Sequence, residues 1–297
     1  MPANFGWIYD PEKVAAAMAD VPKRNRLFGT AAPALHGAWD RKTSISLWEL
    51  HRKLTGRFLP AQRQVRGTCG PRASSLVCNL IQAAQIVQRG GAASDWKPVA
   101  HAPIYGGARQ LGNMLSADPR KDGVIGAYCA RWMRLKGLSH LAEVRDRYDS
   151  DQLAVYFGAY GVPPQIAALG ADNLVLEATL MEGFDQIADL IASGGGVIVC
   201  SQQGFSTTRD SDGFCTPYGR WDHAMGLGAV VNIRGRLGIG CGQSWGPMNP
   251  TGPLLAGCPD YVFGIDARVI DHMCKWRDTH GVYGIQGWAK AEIALAA

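Results

Sequence analysis

The chain has 297 residues, of which 47% are hydrophobic and 19% charged, and its formal net charge is +5. This length is sufficient for one large or two small globular cores. The basic residues form no run and do not alternate with aromatic residues, so we expect no binding to nucleic acid. No apolar run approaches the roughly 20 residues that span a bilayer, so we expect no membrane partner.

Cellular location is predicted from what the sequence lacks. The first residues do not show the basic and apolar segments of a secretory signal. The eight cysteines lie far apart without Cys-x-x-Cys pairs, and we expect most of them to be reduced core residues. These features predict a cytoplasmic or virion-associated protein. No cofactor or metal is expected, because the set Cys258, His272, Cys274 and His280 has no familiar zinc spacing.

Residues 1–56 are predicted to form an N-terminal extension. Residues 11–20 indicate a short helix that starts with proline, and residues 22–39 are irregular and rich in glycine and proline. Residues 44–54 form a second amphipathic segment, which Gly56 ends. We interpret the extension as a segment packed on the domain. The alternative is a propeptide or an arm that docks to a partner protein.

The central stretch covers residues 59–76, a polar loop with glycine that leads into a helix. Pro71 suits a first helical turn, where its missing N–H costs nothing. Apolar residues then recur at steps of three and four, which predicts a helix over residues 71–90. Cys69 lies at the junction, where unpaired N–H groups and the positive end of the helix dipole favour the thiolate.

The rest of the chain divides into helices followed by strands. Residues 104–115 are irregular or helical. Further helices, each followed by a glycine or proline turn, are predicted over residues 123–137, 151–160 and 184–192. Strands separated by glycine turns are predicted over residues 197–201, 224–233, 237–242 and 261–265. This order, which changes near residues 165–185, indicates an α+β fold rather than an alternating parallel sheet.

Two later stretches give the cysteine a chemical context. His223 stands at the head of an apolar, strand-like run, and Gln243, Ser244 and Trp245 follow the next such run. A glutamine loop leading to a cysteine and a helix, then a histidine opening a strand, then amide–Ser–Trp–Gly resembles the papain-like cysteine peptidases. The sequence distance from Cys69 to His223 is close to the roughly 130–150 residues that separate the equivalent pair in papain and the cathepsins.

The resemblance covers about residues 57–275 and implies both a fold and a reaction. Residues 57–175 would form the helical subdomain, whose central helix is headed by the nucleophile. Residues 176–297 would form the β-sheet or barrel subdomain that carries the histidine, with a C-terminal tail. The implied activity is peptide hydrolysis by the Cys69 thiolate, with His223 as the base and later the acid.

The resemblance also assigns the supporting residues. Gln243 takes the place of the usual asparagine, and its carbonyl would orient the imidazole from one methylene further away. Trp245 would shield that hydrogen bond from water. The oxyanion hole would use Cys69 N–H and a glutamine side chain. The usual position, six residues before the cysteine, holds Arg63, so we favour Gln62, with Gln64 nearly equal.

Gly67, Thr68, Asp222 and Trp245 are expected to line the substrate cleft. The sequence Gly70-Pro71-Arg72 departs from the family, which usually has an aromatic or small apolar residue close behind the cysteine. This departure and Gln243 favour an alternative, a catalytically impaired papain-fold structural or interaction protein, possibly of a phage particle. Another alternative is a cysteine amidase or endopeptidase that acts on peptidoglycan. The expected substrate is a peptide or protein.

Overall fold

The computed structural model describes residues 6–64, 66–144, 151–246 and 250–287. Parts of the predicted N-terminal extension and C-terminal tail therefore lie outside the described residues. The described helices are α1 (Pro11–Ala17), α2 (Phe28–Ala31), α3 (Leu47–Thr55), α4 (Cys69–Gln88), α5 (His101–Leu111), α6 (Gly126–Lys136), α7 (Asp151–Tyr160), α8 (Pro164–Ala168), α9 (Phe184–Ala192) and α10 (Ala267–Cys274). The described strands are β1 (Ile45–Ser46), β2 (Val175–Leu180), β3 (Gly196–Arg209), β4 (Cys215–Ile233), β5 (Arg236–Gly242), β6 (Val262–Asp266) and β7 (His280–Ile285).

Helix α4 is the central helix of the molecule. It begins at Cys69 itself, two residues before the predicted start, and Pro71 lies in its first turn. Most of its residues are buried, because it packs against α3, α5 and α6 and against the strands β3 and β4. A helix that is surrounded on all sides can carry apolar residues around its circumference. The fold therefore fixes the position of Cys69 at the start of α4.

The sheet has the order β2-β7-β3-β4-β5-β6, and β1 pairs with β4. All of these strand pairs are antiparallel. Strands β3 and β4 form a long hairpin in which Ser201 faces His223 and Cys200 faces Ala224. The structure thus has the predicted α+β architecture, with most helices before the sheet in the chain.

The predicted start of the histidine-bearing strand is wrong. Strand β4 begins at Cys215 rather than at Ala224, so His223 lies inside the strand and not at its head. The first part of β4 continues the hairpin with β3 through several register shifts, and residues 216–220 are exposed. This exposed stretch contains no apolar run and includes Pro217 and Gly219, so a strand is not predicted there.

The extension is integrated into the fold. Phe28, Trp39, Leu47 and Trp48 belong to the same buried cluster as the sheet residues. The indole N–H of Trp48 donates to the hydroxyl of Tyr261 at 2.9 Å. Gly56 ends α3 in the left-handed conformation, as its position predicts. Within the described part of the chain, every helix is too short or too polar to span a bilayer.

Candidate active site

The structure places the thiol of the predicted nucleophile beside the residue that follows the predicted base. The thiol of Cys69 lies against the backbone N–H groups of Ala224, Gly70 and Cys69 itself. Ala224 directly follows His223 on β4, so the start of α4 meets the sheet at the histidine. Cys69, His223 and Gln243 are all buried, Cys69 and His223 completely.

Burial determines the protonation of the Cys69 thiol. It raises the pKa of this thiol to about 12 from an ordinary value of 9.0, while the three N–H groups act in the opposite direction. The carboxylate of Asp122 adds to the increase in pKa. A thiol with this pKa is protonated at neutral pH and is a poor nucleophile. Burial therefore disfavours the thiolate form of Cys69 in this arrangement.

Two tryptophans hold the histidine from the sheet side. The ring of Trp245 stacks on that of His223, with centroids 4.9 Å apart and planes inclined by 24°. Trp221 meets Trp245 edge-on at 4.4 Å. Such contacts fix the orientation of the imidazole and exclude water from it. Trp245 thus covers one face of the histidine ring.

The turn that follows Gln243 pairs with the glutamine loop through the backbone of Ser244 and Gly246. The side-chain oxygen of Gln243 accepts a hydrogen bond from the backbone N–H of Trp245. Gln64 N–H donates to Ser244 O at 2.8 Å, and the Ser244 hydroxyl donates to the side-chain oxygen of Gln64. This pairing places the loop before α4 next to the turn that carries Trp245.

The two candidate oxyanion glutamines point in different directions. Gln62 Nε2 donates to the hydroxyl of Ser75 at 3.0 Å, and Ser75 lies six residues further into α4 than Cys69. This distance along a helix corresponds to about 9 Å. Gln64 Nε2 donates to Arg66 O at 3.3 Å, in the loop just before Cys69. The side-chain amide of Gln64 is therefore the one held near the start of α4.

A buried charged group lies behind the start of α4. Oδ1 of Asp151 accepts hydrogen bonds from the Thr68 hydroxyl at 2.9 Å and from Arg72 at 3.0 Å. It also lies 3.1 Å from Nε2 of His101. Thr68, predicted to line the cleft, thus directs its hydroxyl into the helical interior. The sequence Gly70-Pro71-Arg72 departs from the family behind the cysteine. At Arg72 this departure provides an ion pair with Asp151 that links α4 to α7.

The N-terminal residues 6–8, which we call the covering segment, cross the cleft beside Cys69. On the helical side, Val124 N–H donates to Gly6 O at 2.8 Å and Ile8 N–H donates to Val124 O at 2.9 Å. On the sheet side, Trp7 N–H donates to Asp222 O at 3.3 Å. A chain that binds both walls covers the space between them. Trp7 of this segment belongs to the same buried cluster as Cys69.

Glycines make the close approach of the covering segment possible. A Cβ on Gly6 would lie 2.3 Å from Gly67 Cα, and a Cβ on Gly67 would lie 2.7 Å from Gly123 N. Gly6 also has a φ of +100°, which side chains rarely adopt. The covering segment therefore contacts Gly67 and the backbone of Asp222, two of the residues that the sequence predicts in the substrate cleft. The sequence of this segment carries no periodic signal from which the contact could be predicted.

The described residues contain no cluster of three or more His, Cys, Asp or Glu side chains that could hold a metal ion. All eight cysteines are buried and free.

Comparison with known proteins identifies the fold. No protein-family model matches the sequence, and no curated protein matches it. Among solved structures, xylellain, a cysteine protease from Xylella fastidiosa, is similar with a TM-score of 0.58 and 13% identity over 96% of each chain. Digestive procathepsin L 3 of Tenebrio molitor has a TM-score of 0.54 and 11% identity, over 91% of this chain and 77% of its own. The proform of the ragweed cysteine protease Amb a 11 has a TM-score of 0.54 and 10% identity, over 91% and 72%.

These similarities establish the papain-like α+β fold of the protein. The resemblance that the sequence motifs predict is thereby confirmed at the level of the fold. The similar structures are cysteine proteases, two of them described as a procathepsin and a proform.

Proposed function

We propose that the protein is a papain-like cysteine peptidase in a latent form. The observation that carries the proposal is the meeting of Cys69, at the start of α4, with the backbone beside His223 on β4. Trp245 stacked on His223 supports it, because a catalytic imidazole needs a fixed orientation. The covering segment explains why such a site is closed. In the cytoplasm or in a virus particle, this closure would prevent untimely cleavage.

The reaction begins when the covering segment leaves the cleft. His223 takes the thiol proton, and the Cys69 thiolate attacks the carbonyl carbon of a peptide bond. The tetrahedral oxyanion receives hydrogen bonds from Cys69 N–H and, in our assignment, from Gln64 rather than Gln62. His223 gives its proton to the leaving amine, and a thioester remains. Water, deprotonated by His223, hydrolyses the thioester and restores the thiol.

The test compares Cys69→Ala with Cys78→Ala in cleavage of an unfolded protein substrate. Cys78 lies on the same helix and is equally buried, so it controls for the loss of a core thiol. Both variants carry Gly6→Ala to open the cleft. We expect no cleavage with Cys69→Ala and retained cleavage with Cys78→Ala. Cleavage by Cys69→Ala as fast as by its control would refute the proposal.

The closed arrangement of the site favours a second candidate function, that of a papain-fold structural or interaction protein without activity. The Cys69 thiol is completely buried with a pKa of about 12, and Gln243 binds the backbone of Trp245. If this arrangement is permanent, Cys69 stays inert in the opened protein. A small alkylating agent at neutral pH separates the two candidates. Rapid modification of Cys69 in Gly6→Ala supports the peptidase, and inertness supports the scaffold.

A further inference from the structure

Three cysteines from different elements of the fold converge at the candidate nucleophile. Cys69 begins α4, Cys129 lies in α6 and Cys200 lies in β3. All three are completely buried and belong to one core cluster. Burial raises the pKa of Cys129 and of Cys200 well above the ordinary value, and the nearby Asp278 and Cys69 raise it further. Because nearby charges shift a pKa in this way, the three thiols are neighbours in space.

Cys129 is the thiol that packs against the first turn of α4. A Cβ on Gly70, the residue after Cys69, would lie 3.4 Å from the sulfur of Cys129. The hydroxyl of Ser74, one turn further along α4, contacts the same sulfur. Burial raises the pKa of both partner thiols, but the Ser74 hydroxyl acts to lower that of Cys129. This contact favours Cys129 over Cys200 as an attacking thiol.

Cys200 approaches the cluster from the sheet. It faces Ala224 across the hairpin of β3 and β4, and the N–H of Ala224 contacts the thiol of Cys69. Its sulfur lies beside the first residue of α6, because a Cβ on Gly126 would be 2.6 Å from it. Cys129 lies about one turn further along the same helix. Cys200 shares the buried surroundings of Cys129 and is therefore its matched control.

We propose that Cys69 and Cys129 form a modification site for hydroperoxides, at which oxidation of Cys69 ends in a disulfide between the two residues. Once the covering segment leaves the cleft, the Cys69 thiolate attacks one oxygen of hydrogen peroxide. The O–O bond breaks, hydroxide leaves, and the sulfur becomes a sulfenic acid. The sulfur of Cys129 then attacks that of Cys69, the S–O bond breaks, and the hydroxyl group leaves as water with the proton of Cys129. The two thiols are oxidised by two electrons, and the peroxide is reduced to water.

The disulfide protects the nucleophile. A sulfenic acid that meets more peroxide becomes a sulfinic acid, which thiols do not reduce, whereas a sulfenic acid beside a second thiol condenses with it. A dithiol reductant then restores both cysteines, so the oxidation is a reversible block of Cys69. That this block stops peptide cleavage rests on the proposed peptidase function, whereas formation of the disulfide does not.

The test maps the thiols of the full chain after oxidation. Wild type and Gly6→Ala are treated with hydrogen peroxide, the remaining thiols are blocked with N-ethylmaleimide in denaturant, and a non-reducing digest is analysed by mass spectrometry. We expect a pair of peptides linked through Cys69 and Cys129, and recovery of both thiols with dithiothreitol. In Cys129→Ser the recovery of Cys69 should be lost, because its sulfenic acid goes on to the sulfinic acid. In Cys200→Ser the recovery should be retained.

Mapping of the chain with all its cysteines keeps the experiment decisive even if a cysteine variant does not fold. A disulfide from Cys69 to a cysteine other than Cys129, a sulfinic acid at Cys69 without any disulfide, or a Cys69 that stays a free thiol in both proteins would overturn the proposal. A linked pair in a protein that cleaves nothing would keep the modification site and refute the peptidase. Cleavage by a protein that forms no such pair would keep the peptidase and refute the modification site.

Discussion

Removing the covering segment from the cleft should activate the Cys69 thiol, and a single methyl group can do this. In Gly6→Ala the new Cβ would lie 2.3 Å from Gly67 Cα, on a backbone with φ of +100°. Neither backbone can shift far enough in place to remove this overlap, so the covering segment must leave the cleft. Gly37 is the matched control, because it has a φ of +76° and nothing within 4 Å of an added Cβ. Gly37→Ala brings similar local strain without the clash.

The size of the effect follows from the pKa of Cys69. Exposure to water removes the burial that raises this pKa from 9.0 to about 12. A return to the ordinary value increases the thiolate population at pH 7 about a thousandfold, since each pKa unit corresponds to a factor of ten. Thiolates of lower pKa are weaker nucleophiles, with a Brønsted coefficient of 0.4–0.5, so the net gain in rate is about 30- to 60-fold. Pairing with a protonated His223 would lower the pKa further and increase the gain.

The assay is the reaction of the folded protein with an aromatic disulfide reagent. Cys69→Ala gives the background from the other seven cysteines. When the pKa of the Cys69 thiol falls, the thiolate forms at lower pH. The reaction rate of Gly6→Ala should therefore reach a plateau well below pH 12. The wild-type rate should still rise steeply in mildly alkaline solution. Equal rates and equal pH profiles for wild type, Gly6→Ala and Gly37→Ala would show that residues 6–8 do not control Cys69.

Two further predictions concern the residues around the start of α4. In the opened protein, Gln64→Ala should lower kcat/KM by about 10²–10³-fold through loss of an oxyanion donor. Gln62→Ala removes the hydrogen bond to Ser75 and should leave kcat/KM nearly unchanged. Equal losses of kcat/KM in the two variants would contradict the choice of Gln64 as the oxyanion donor. Asp151→Ala deprives buried Arg72 of its carboxylate and should lower the free energy of unfolding by about 3–5 kcal/mol in a urea titration. A loss below about 1 kcal/mol would show that this ion pair does not fasten α4 to α7.

The elements that the sequence predicts well are those with a strong local signal. Helices α7 and α9 have the predicted bounds, because each has a continuous apolar face and a glycine or proline stop. Strands β2 and β7 were not predicted. β2 is short and lacks a regular alternation, since Ala178 and Thr179 are buried side by side, and β7 contains Gly281 and Gly284, which weaken a strand signal. Their position in the sheet depends on pairing with each other rather than on local propensity.

The candidate site shows the same difference between local sequence signals and long-range contacts. The order of Cys69, His223 and Trp245 in the sequence predicts that they come together, and in the structure the ring of Trp245 stacks on that of His223. The partner of Arg72 is Asp151, 79 residues away, and the motif alone presents Arg72 only as a departure from the family. Contacts of this kind depend on long-range packing, which local patterns do not report.

The indole N–H of Trp7 donates to Oδ2 of Asp278 at 2.7 Å, and the contribution of this hydrogen bond to closure of the cleft can be measured. If the indole bond to Asp278 helps to keep the segment in the cleft, Trp7→Phe weakens the closed state without removing the aromatic ring. The loss of one hydrogen bond to a carboxylate should raise the fraction of open protein, and the rate of Cys69 modification with it, by about ten- to a hundredfold. Trp39→Phe is the matched control, because Trp39 is also buried in the extension but donates to Thr43 O.

The double variant Trp7→Phe with Asp278→Asn identifies the partner. If the indole acts through Asp278, changing Trp7 to Phe should have little further effect once the carboxylate is an amide. An undiminished effect in the Asp278→Asn background would mean that the segment is held by the shape of the ring alone.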